Sequence, residues 1–263
     1  MARPHSIYRT TAALILLAAA CVAMVLLGRW QLHRAAERQG IAAAIEAGRQ
    51  LPPLTLTPSV DASELTAWRN AQATGTWIPE KSVLLENRNY NGHPGYWIAT
   101  PLLIDARTQA AVLVLRGWMP RSMSAQGHPP VPPVQAPRQT VQGELALHVP
   151  RLYELGDGQY SRLPDQLGES GTPPAVQNLS LADYAQASGL NMMPVVLQQL
   201  TPSEDGLMHD WPQPSIDHNQ NYGYALQWFA FASIAGVAFL VVLWRAARRG
   251  RKKPSATDNS FSL

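Results

Sequence analysis

Residues 11–28 read TAALILLAAACVAMVLLG and residues 225–244 read ALQWFAFASIAGVAFLVVLW. These two runs decide the architecture. The first contains no charged residue, and the second has only Gln227 and Ser233 as clearly polar positions. A helix of about 18–20 residues rises roughly 30 Å, the thickness of a bilayer's hydrocarbon core. Two such runs, one near each end, predict an integral membrane protein that holds the intervening residues on one side.

Charge sets the expected orientation. Arg245, Arg248, Arg249, Arg251, Lys252 and Lys253 follow the second run against a single acid, Asp258. Basic residues beside a span stay cytoplasmic, and short tails count most. Arg3 and Arg9 agree with that cluster, while Arg29, Arg34 and Arg38 after the first run pull the other way and are outnumbered. The expected layout is a cytoplasmic tail over residues 1–10, a first span over 11–28, a periplasmic domain over 29–223, a second span over 224–244 and a basic cytoplasmic tail over 245–263. The protein would thus be a multi-pass protein of the inner (cell) membrane in contact with lipid. Between Trp30 and Gly223 stand 12 Lys+Arg and 17 Asp+Glu, a net of −5. The basic isoelectric point therefore belongs to the tail, and a nucleic-acid-binding domain, which needs a basic face, is excluded.

Cys21 is the one cysteine and sits inside the first run, so no disulfide is expected in the outer domain. Leu17 to Cys21 approximates a lipoprotein processing site. The apolar residues continue through Val22, Met24, Val25, Leu26 and Leu27, however, which favours an uncleaved anchor.

From Trp30 to Arg49 the composition favours a helix continuing out of the first span and stopping at Leu51-Pro52-Pro53, because proline disfavours helix in the residue before it. Short alternating or β-branched runs follow, with strands expected over 69–77, 82–88, 95–104, 110–118, 139–147, 176–181 and 194–200. Asn91-Gly92 and Pro94-Gly95 between the second and third read as a hairpin turn. A short helix is expected over 181–190 with Ser180 as its cap. Residues 119–137 carry six prolines and read as an extended loop. The fold class is α+β: two transmembrane helices flanking a mainly β extramembrane domain, a small curved sheet or open barrel.

No phosphate-cradling glycine loop, Cys-x-x-Cys-His haem attachment sequence, His-Glu-x-x-His zinc helix or Gly-x-Ser-x-Gly elbow occurs, so an enzyme is not expected and no metal site is assigned. The seven histidines lack metal-ligand spacing, and His218 differs only by its place six residues before Tyr224. A neutral imidazole there could ligate a haem iron; the bland alternative is a wet juxtamembrane polar group. The ordered constellation is membrane-proximal. Trp30 and Trp228 should lie at interfacial depth. Gln31, Arg34 and Arg38 share a helical face by spacing. Gln227 would be costly against lipid, so it is expected to face the other helix or a bound polar group. Ala232 and Gly236 would let the helices approach closely. Plain helix packing accounts for the same residues.

Several ordered segments resemble the surfeit locus protein 1 family, assembly factors of haem–copper cytochrome c oxidase. They are Leu27-Gly28-x-Trp30-Gln31-Leu32-x-Arg34, then Asn87-Arg88, Pro94-Gly95-Tyr96 and Thr100-Pro101-Leu102. Val114-Leu115-Arg116-Gly117-Trp118-Met119-Pro120, Val141-x-Gly143-Glu144-Leu145 and Tyr222-Gly223-Tyr224-Ala225-Leu226-Gln227-Trp228-Phe229 follow. The resemblance implies a non-enzymatic role, helping to insert or stabilise haem a in subunit I of the oxidase alongside other assembly factors. Bacterial relatives are implicated in binding that haem through a histidine just before the second span. A flat apolar ring with anionic propionates would suit an interfacial cleft lined by Trp30, Tyr224 and Trp228, with Arg29 or Arg34 near the propionates, as their shared depth suggests; with His218 and Gln227 these form the candidate cofactor-binding set. In the family a histidine commonly stands three residues before the tyrosine of Tyr-Ala-x-x-Trp-Phe, and here that position is Asn221. An amide is a poor iron ligand, so either His218 substitutes or haem is not ligated through this site. The alternatives are a membrane-anchored structural adaptor without cofactor and a periplasmic lipoprotein or envelope scaffold.

Overall fold

The computed structural model describes residues 4–121, 129–154, 159–169, 171–202 and 204–251. The outermost residues of both tails, including Lys252 and Lys253, and residues 122–128 of the proline-rich loop lie outside that set. The elements in order are α1 (Pro4–Gln50), β1 (Leu54–Leu56), β2 (Asn70–Trp77), β3 (Val83–Tyr90), β4 (His93–Asp105) and β5 (Ala110–Pro120). β6 (Arg138–Ala146), β7 (Ala175–Val176), α2 (Leu181–Ser188), β8 (Asn191–Gln199) and α3 (Asn219–Arg251) follow. They divide into a helical unit, residues 1–42 with 215–263, and a β unit, residues 43–214.

Both α1 and α3 are long and apolar enough to cross a membrane. Only 6% and 11% of their apolar windows are buried, so these are not core helices of a soluble fold. What is buried follows a heptad. On α1 the heptad runs through Leu14, Leu17, Cys21, Met24, Gly28, Gln31, Ala35, Arg38 and Ala42, and on α3 through Asn221, Ala225, Trp228, Ala232, Ala235, Phe239, Val242 and Ala246; Thr10, Ala13, Ala20, Phe229, Gly236 and Ala238 beside it are partly covered as well. The alternating steps of three and four are the seam of a left-handed helix pair. The pairing is antiparallel: Cys21 Sγ donates to the Ala232 carbonyl at 3.5 Å, and Asn221 Nδ2 donates to Gln31 Oε1 at 2.6 Å. Small residues permit the approach. A Cβ at Gly28 would stand 2.8 Å from the Phe229 ring, and one at Gly236 would stand 3.9 Å from Cys21 Sγ.

In the β unit the strand order is β1-β2-β6-β8-β5-β4-β3-β7, with β2 also paired to β4 through Thr76↔Leu103 and Trp77↔Leu102. That extra pairing closes β2, β6, β8, β5 and β4 into a ring. β5 is buried along nearly its whole length, and its alternation divides the core. Val112 and Val114 join one cluster with Leu56, Leu102, Leu145 and Leu197. Leu113, Leu115 and Trp118 join another with Leu179 and Tyr184 beside α2. The continuous apolar reading of this strand is thus a strand buried on both faces. The expected hairpin forms between β3 and β4, but its turn is Asn91-Gly92 alone, both at positive φ, +48° and +82°, while Pro94 and Gly95 pair within β4 instead of turning. α2 carries its expected Ser180 cap, whose side chain accepts from the Asp183 amide, and ends at a left-handed Gly189.

The strand expected over 176–181 is not formed beyond Val176. Asn178 takes over the backbone there. Its Oδ1 accepts from the Leu152 amide at 2.7 Å, and its Nδ2 donates to the Leu152 carbonyl at 3.1 Å. A side chain that satisfies a neighbouring backbone in this way replaces a ladder.

Candidate functional site

The polar residues of the helical unit separate by heptad position into a seam and two flanks. In an antiparallel pair, each flank brings together residues just off the seam on both helices. One flank is marked by Arg38 Nη1, which donates to the Asp217 carbonyl. Counting heptads from Asp217 and one turn back from Arg38 puts Tyr224 and Arg34 on this flank, with Trp30 and Gln227 just outside it. The other flank is marked by Phe229 against Gly28, and Tyr222 shares it by heptad spacing.

Trp30 and Tyr224 are half exposed, at 55% and 52%, and Arg34 is exposed with its guanidinium 3.3 Å from Glu37. Trp228 occupies a seam position, half-buried, with its ring edge-on to Phe231 at 6.3 Å. His218 stands at the mouth of α3. Its carbonyl accepts from the Asn221 and Tyr222 amides, its Nδ1 lies 3.2 Å from the Ile216 carbonyl, and its ring meets Tyr222 edge-on at 5.9 Å.

Of the two placements expected for Gln227, the other helix and a bound polar group, the first is not found: it does not face α1 and is exposed on the outer side of α3. The reason is register: the seam runs through Ala225 and Trp228, so Gln227 falls outside it. The amide that does enter the seam is Asn221, 8% exposed, bonded through Nδ2 to Gln31 and with its Oδ1 unpaired. Asn221 is thus a packing residue of the helix pair. A buried amide in an apolar seam selects register at a cost in stability. Among the described residues no group of three or more His, Cys, Asp or Glu is arranged to hold a bare metal ion.

The remaining motif residues converge in the β unit. Gly95 pairs with Pro120, and Trp97 pairs with Trp118. Trp118 Nε1 donates to the Arg88 carbonyl at 2.7 Å, and the Arg88 guanidinium lies 4.4 Å from the centre of the Trp97 ring. Burial pushes the pKa of Arg88 down to about 10. A Cβ at Gly95 would fall 2.2 Å from the Met119 carbonyl oxygen and 2.4 Å from the Trp118 ring. Only glycine lets the β4 backbone pass there. Arg116, 2% exposed, pairs with Asp205 at 2.7 Å and donates to the Pro132 and Pro133 carbonyls. It ties the proline-rich segment to β5. The ordinary signal of charged residues on the surface hid this role, because Arg116 and Asp205 stand 89 positions apart. Glu144 was likewise missed: its buried carboxylate accepts from Arg49 Nε at 2.8 Å.

The chain is similar to known proteins over a range that includes these positions. The sequence pattern of the SURF1 family matches residues 18–233. An uncharacterized SURF1-like protein of Mycobacterium bovis is 26% identical over 249 residues, covering 92% of this chain and 87% of its own. The cytochrome oxidase assembly protein SHY1 of Saccharomyces cerevisiae is 32% identical over 95 residues, 35% of this chain and 24% of its own. A SURF1-like protein of Rickettsia felis is 29% identical over 97 residues, 36% of this chain and 41% of its own. With the family pattern running from the first apolar helix through the β unit into the second, the chain belongs to the SURF1 family.

Proposed function

We propose that this chain is a non-enzymatic assembly factor for haem–copper cytochrome c oxidase, assisting the insertion of haem a into subunit I or its stabilisation there. The observation that carries the reading is the family match across both apolar helices and the β unit, in a family with a yeast relative named for cytochrome oxidase assembly. The β unit is proposed to face the periplasm, with Arg245, Arg248 and Arg249 on the cytoplasmic side of an inner membrane.

Residues of the helical unit fit a haem in part. A proton on His218 Nδ1 would be donated to the Ile216 carbonyl, and this tautomer leaves Nε2 with a free lone pair for iron. Trp30, Tyr224 and Trp228 offer aromatic surface for a flat ring, Gln227 a hydrogen-bonding amide, and Arg34 a cation for propionates in place of Glu37. Bound haem supplies a redox-active iron; this chain's part is to hold and orient it. The test is deletion of the gene followed by measurement of haem a in subunit I. A marked loss is expected, and a chain carrying alanine at Trp30, Arg34 and Trp228 should fail to restore it. Unchanged haem content and oxidase activity on deletion would sink the reading.

Asn221 stands where the family's histidine is common and is engaged with Gln31 between the two helices, which favours a second reading, an adaptor that holds an oxidase subunit without touching the cofactor. It predicts that the detergent-purified protein shows no haem absorbance and that His218→Ala restores haem a as well as wild type does.

A further inference from the structure

At the end of the helix pair remote from the β unit, the charges have no counterpart in the chain. Residues 1–36 and 218–257 contain no Asp or Glu. Arg9, Arg245, Arg248 and Arg249 are exposed there, and among the described residues none of them makes an ion pair.

Basic residues beside a span orient it by their number, but these also have an arrangement. Three heptads along α3 from Tyr224 lead to Arg245, and three from Gln227 lead to Arg248. Three heptads back along α1 from Trp30 lead to Arg9. Arg245 therefore stands on the flank that carries Arg34 and Tyr224, with Arg9 and Arg248 just outside it. Three heptads rise about 31 Å, the thickness of a hydrocarbon core. The antiparallel register fixed by Cys21 against Ala232 and Asn221 against Gln31 puts Arg9 level with Trp244. Both helices thus bring cations to one place. The Arg248 guanidinium lies over the Trp244 ring, 3.7 Å from its centre, a contact that orders one of the donors.

We propose that this end of the helix pair binds an anionic phospholipid, with Arg9 from α1 and Arg245 and Arg248 from α3 around its phosphate groups. The occupant follows from charge complementarity. At this depth spanning helices are surrounded by headgroups, the guanidinium fork matches phosphate oxygens, and no carboxylate of these helices competes for it. Basic pockets between spanning helices suit lipids of this kind. Toward the bilayer centre the same flank continues through Val241 and Ile234, 41% and 66% exposed, as apolar surface for the acyl chains. Three cations suit a lipid with two phosphates, cardiolipin, better than one with a single phosphate. The site requires only that α1 and α3 span a membrane, and it stands apart from haem delivery.

Lipid binding to the full chain in a neutral detergent tests it, with bound lipid counted by native mass spectrometry. Cardiolipin should bind most tightly, phosphatidylglycerol next and phosphatidylcholine least. Combining Arg9→Gln, Arg245→Gln and Arg248→Gln should weaken cardiolipin binding about fivefold per arginine removed. Lysine at the same three positions should recover part of the loss. Arg107→Gln, Arg138→Gln and Arg151→Gln together remove the same charge from exposed positions of the β unit and should leave binding unchanged. Helix content by circular dichroism controls for folding. Equal binding of charged and zwitterionic lipid, or equal losses in the two glutamine triples, would overturn the site in favour of unspecific attraction. Displacement of the lipid by inorganic phosphate would overturn the lipid as its occupant. Oxidase haem content, measured in parallel, fails or holds independently.

Discussion

The β unit buries its side chains in two large apolar clusters on either face of β5 and a smaller third around Leu84, Tyr96, Ile98 and Leu207, whereas the helical unit buries one narrow stripe per helix and leaves most of its apolar surface outward. The family's motif residues behave differently in the two settings. In the β unit Gly95, Arg116 and Trp118 are interior parts whose job is to let strands and the proline-rich segment fit together. In the helical unit Trp30, Arg34, Tyr224 and Gln227 are exposed and remain available to something else. A shared motif thus means architecture in one place and contact in the other, and only burial tells which.

The contrast can be broken by substitution. The largest effect is expected from Arg116→Ala, which strands the Asp205 carboxylate in the interior. Unfolding of the detergent-solubilised protein, followed by near-UV circular dichroism of the buried tryptophans, should lose about 3–5 kcal/mol. A loss below one kcal/mol would mean that the ion pair is not the clasp described. Next comes Gly95→Ala, where the added methyl must displace backbone; about 1–3 kcal/mol is expected by the same measurement. In the helical unit Asn221→Ala should cost only about 0.6–1 kcal/mol, because it removes one interhelical bond while also removing an unpaired buried acceptor. Far-UV circular dichroism of the helices is the readout, and a larger cost than that of Gly95→Ala would reverse the ranking of the two units. Smallest is Gly40→Ala on α1, where an added methyl meets nothing within 4 Å. It should stabilise the helix, by up to about 1 kcal/mol from propensity alone.

Much of the fold was legible because it rests on local signals. The apolar runs, the Asn91-Gly92 turn, the Ser180 cap and the Leu51-Pro52-Pro53 stop each dictate structure within a few residues. Close helix approach at Ala232 and Gly236 was readable from their size. The register of the helix pair was not. Gln227 looked inward because a polar residue in an apolar run should hide, yet the seam was decided by summed packing along eight or nine positions, which put Asn221 inside instead. The lost strand after Val176 has a similar cause: its alternation is strand-like, but Asn178 competes for the backbone. The Arg116–Asp205 and Arg49–Glu144 pairs join residues far apart in sequence, and no local pattern announces such partners. The contact of the His218 ring with Tyr222 was not legible either, because it depends on where α3 begins, just after His218.

The closure of the sheet through Thr76↔Leu103 and Trp77↔Leu102 bears on how this protein survives being made. An open sheet offers a row of unpaired amides and carbonyls along each border, onto which a neighbouring chain can zip. Here the pairing of β2 with β4 turns much of that border inward into the ring. β1, three residues long, and β7, two, finish parts of β2 and β3 and are too short to template a growing stack. Less border is left to a neighbouring chain than an open sheet of the same strands would offer.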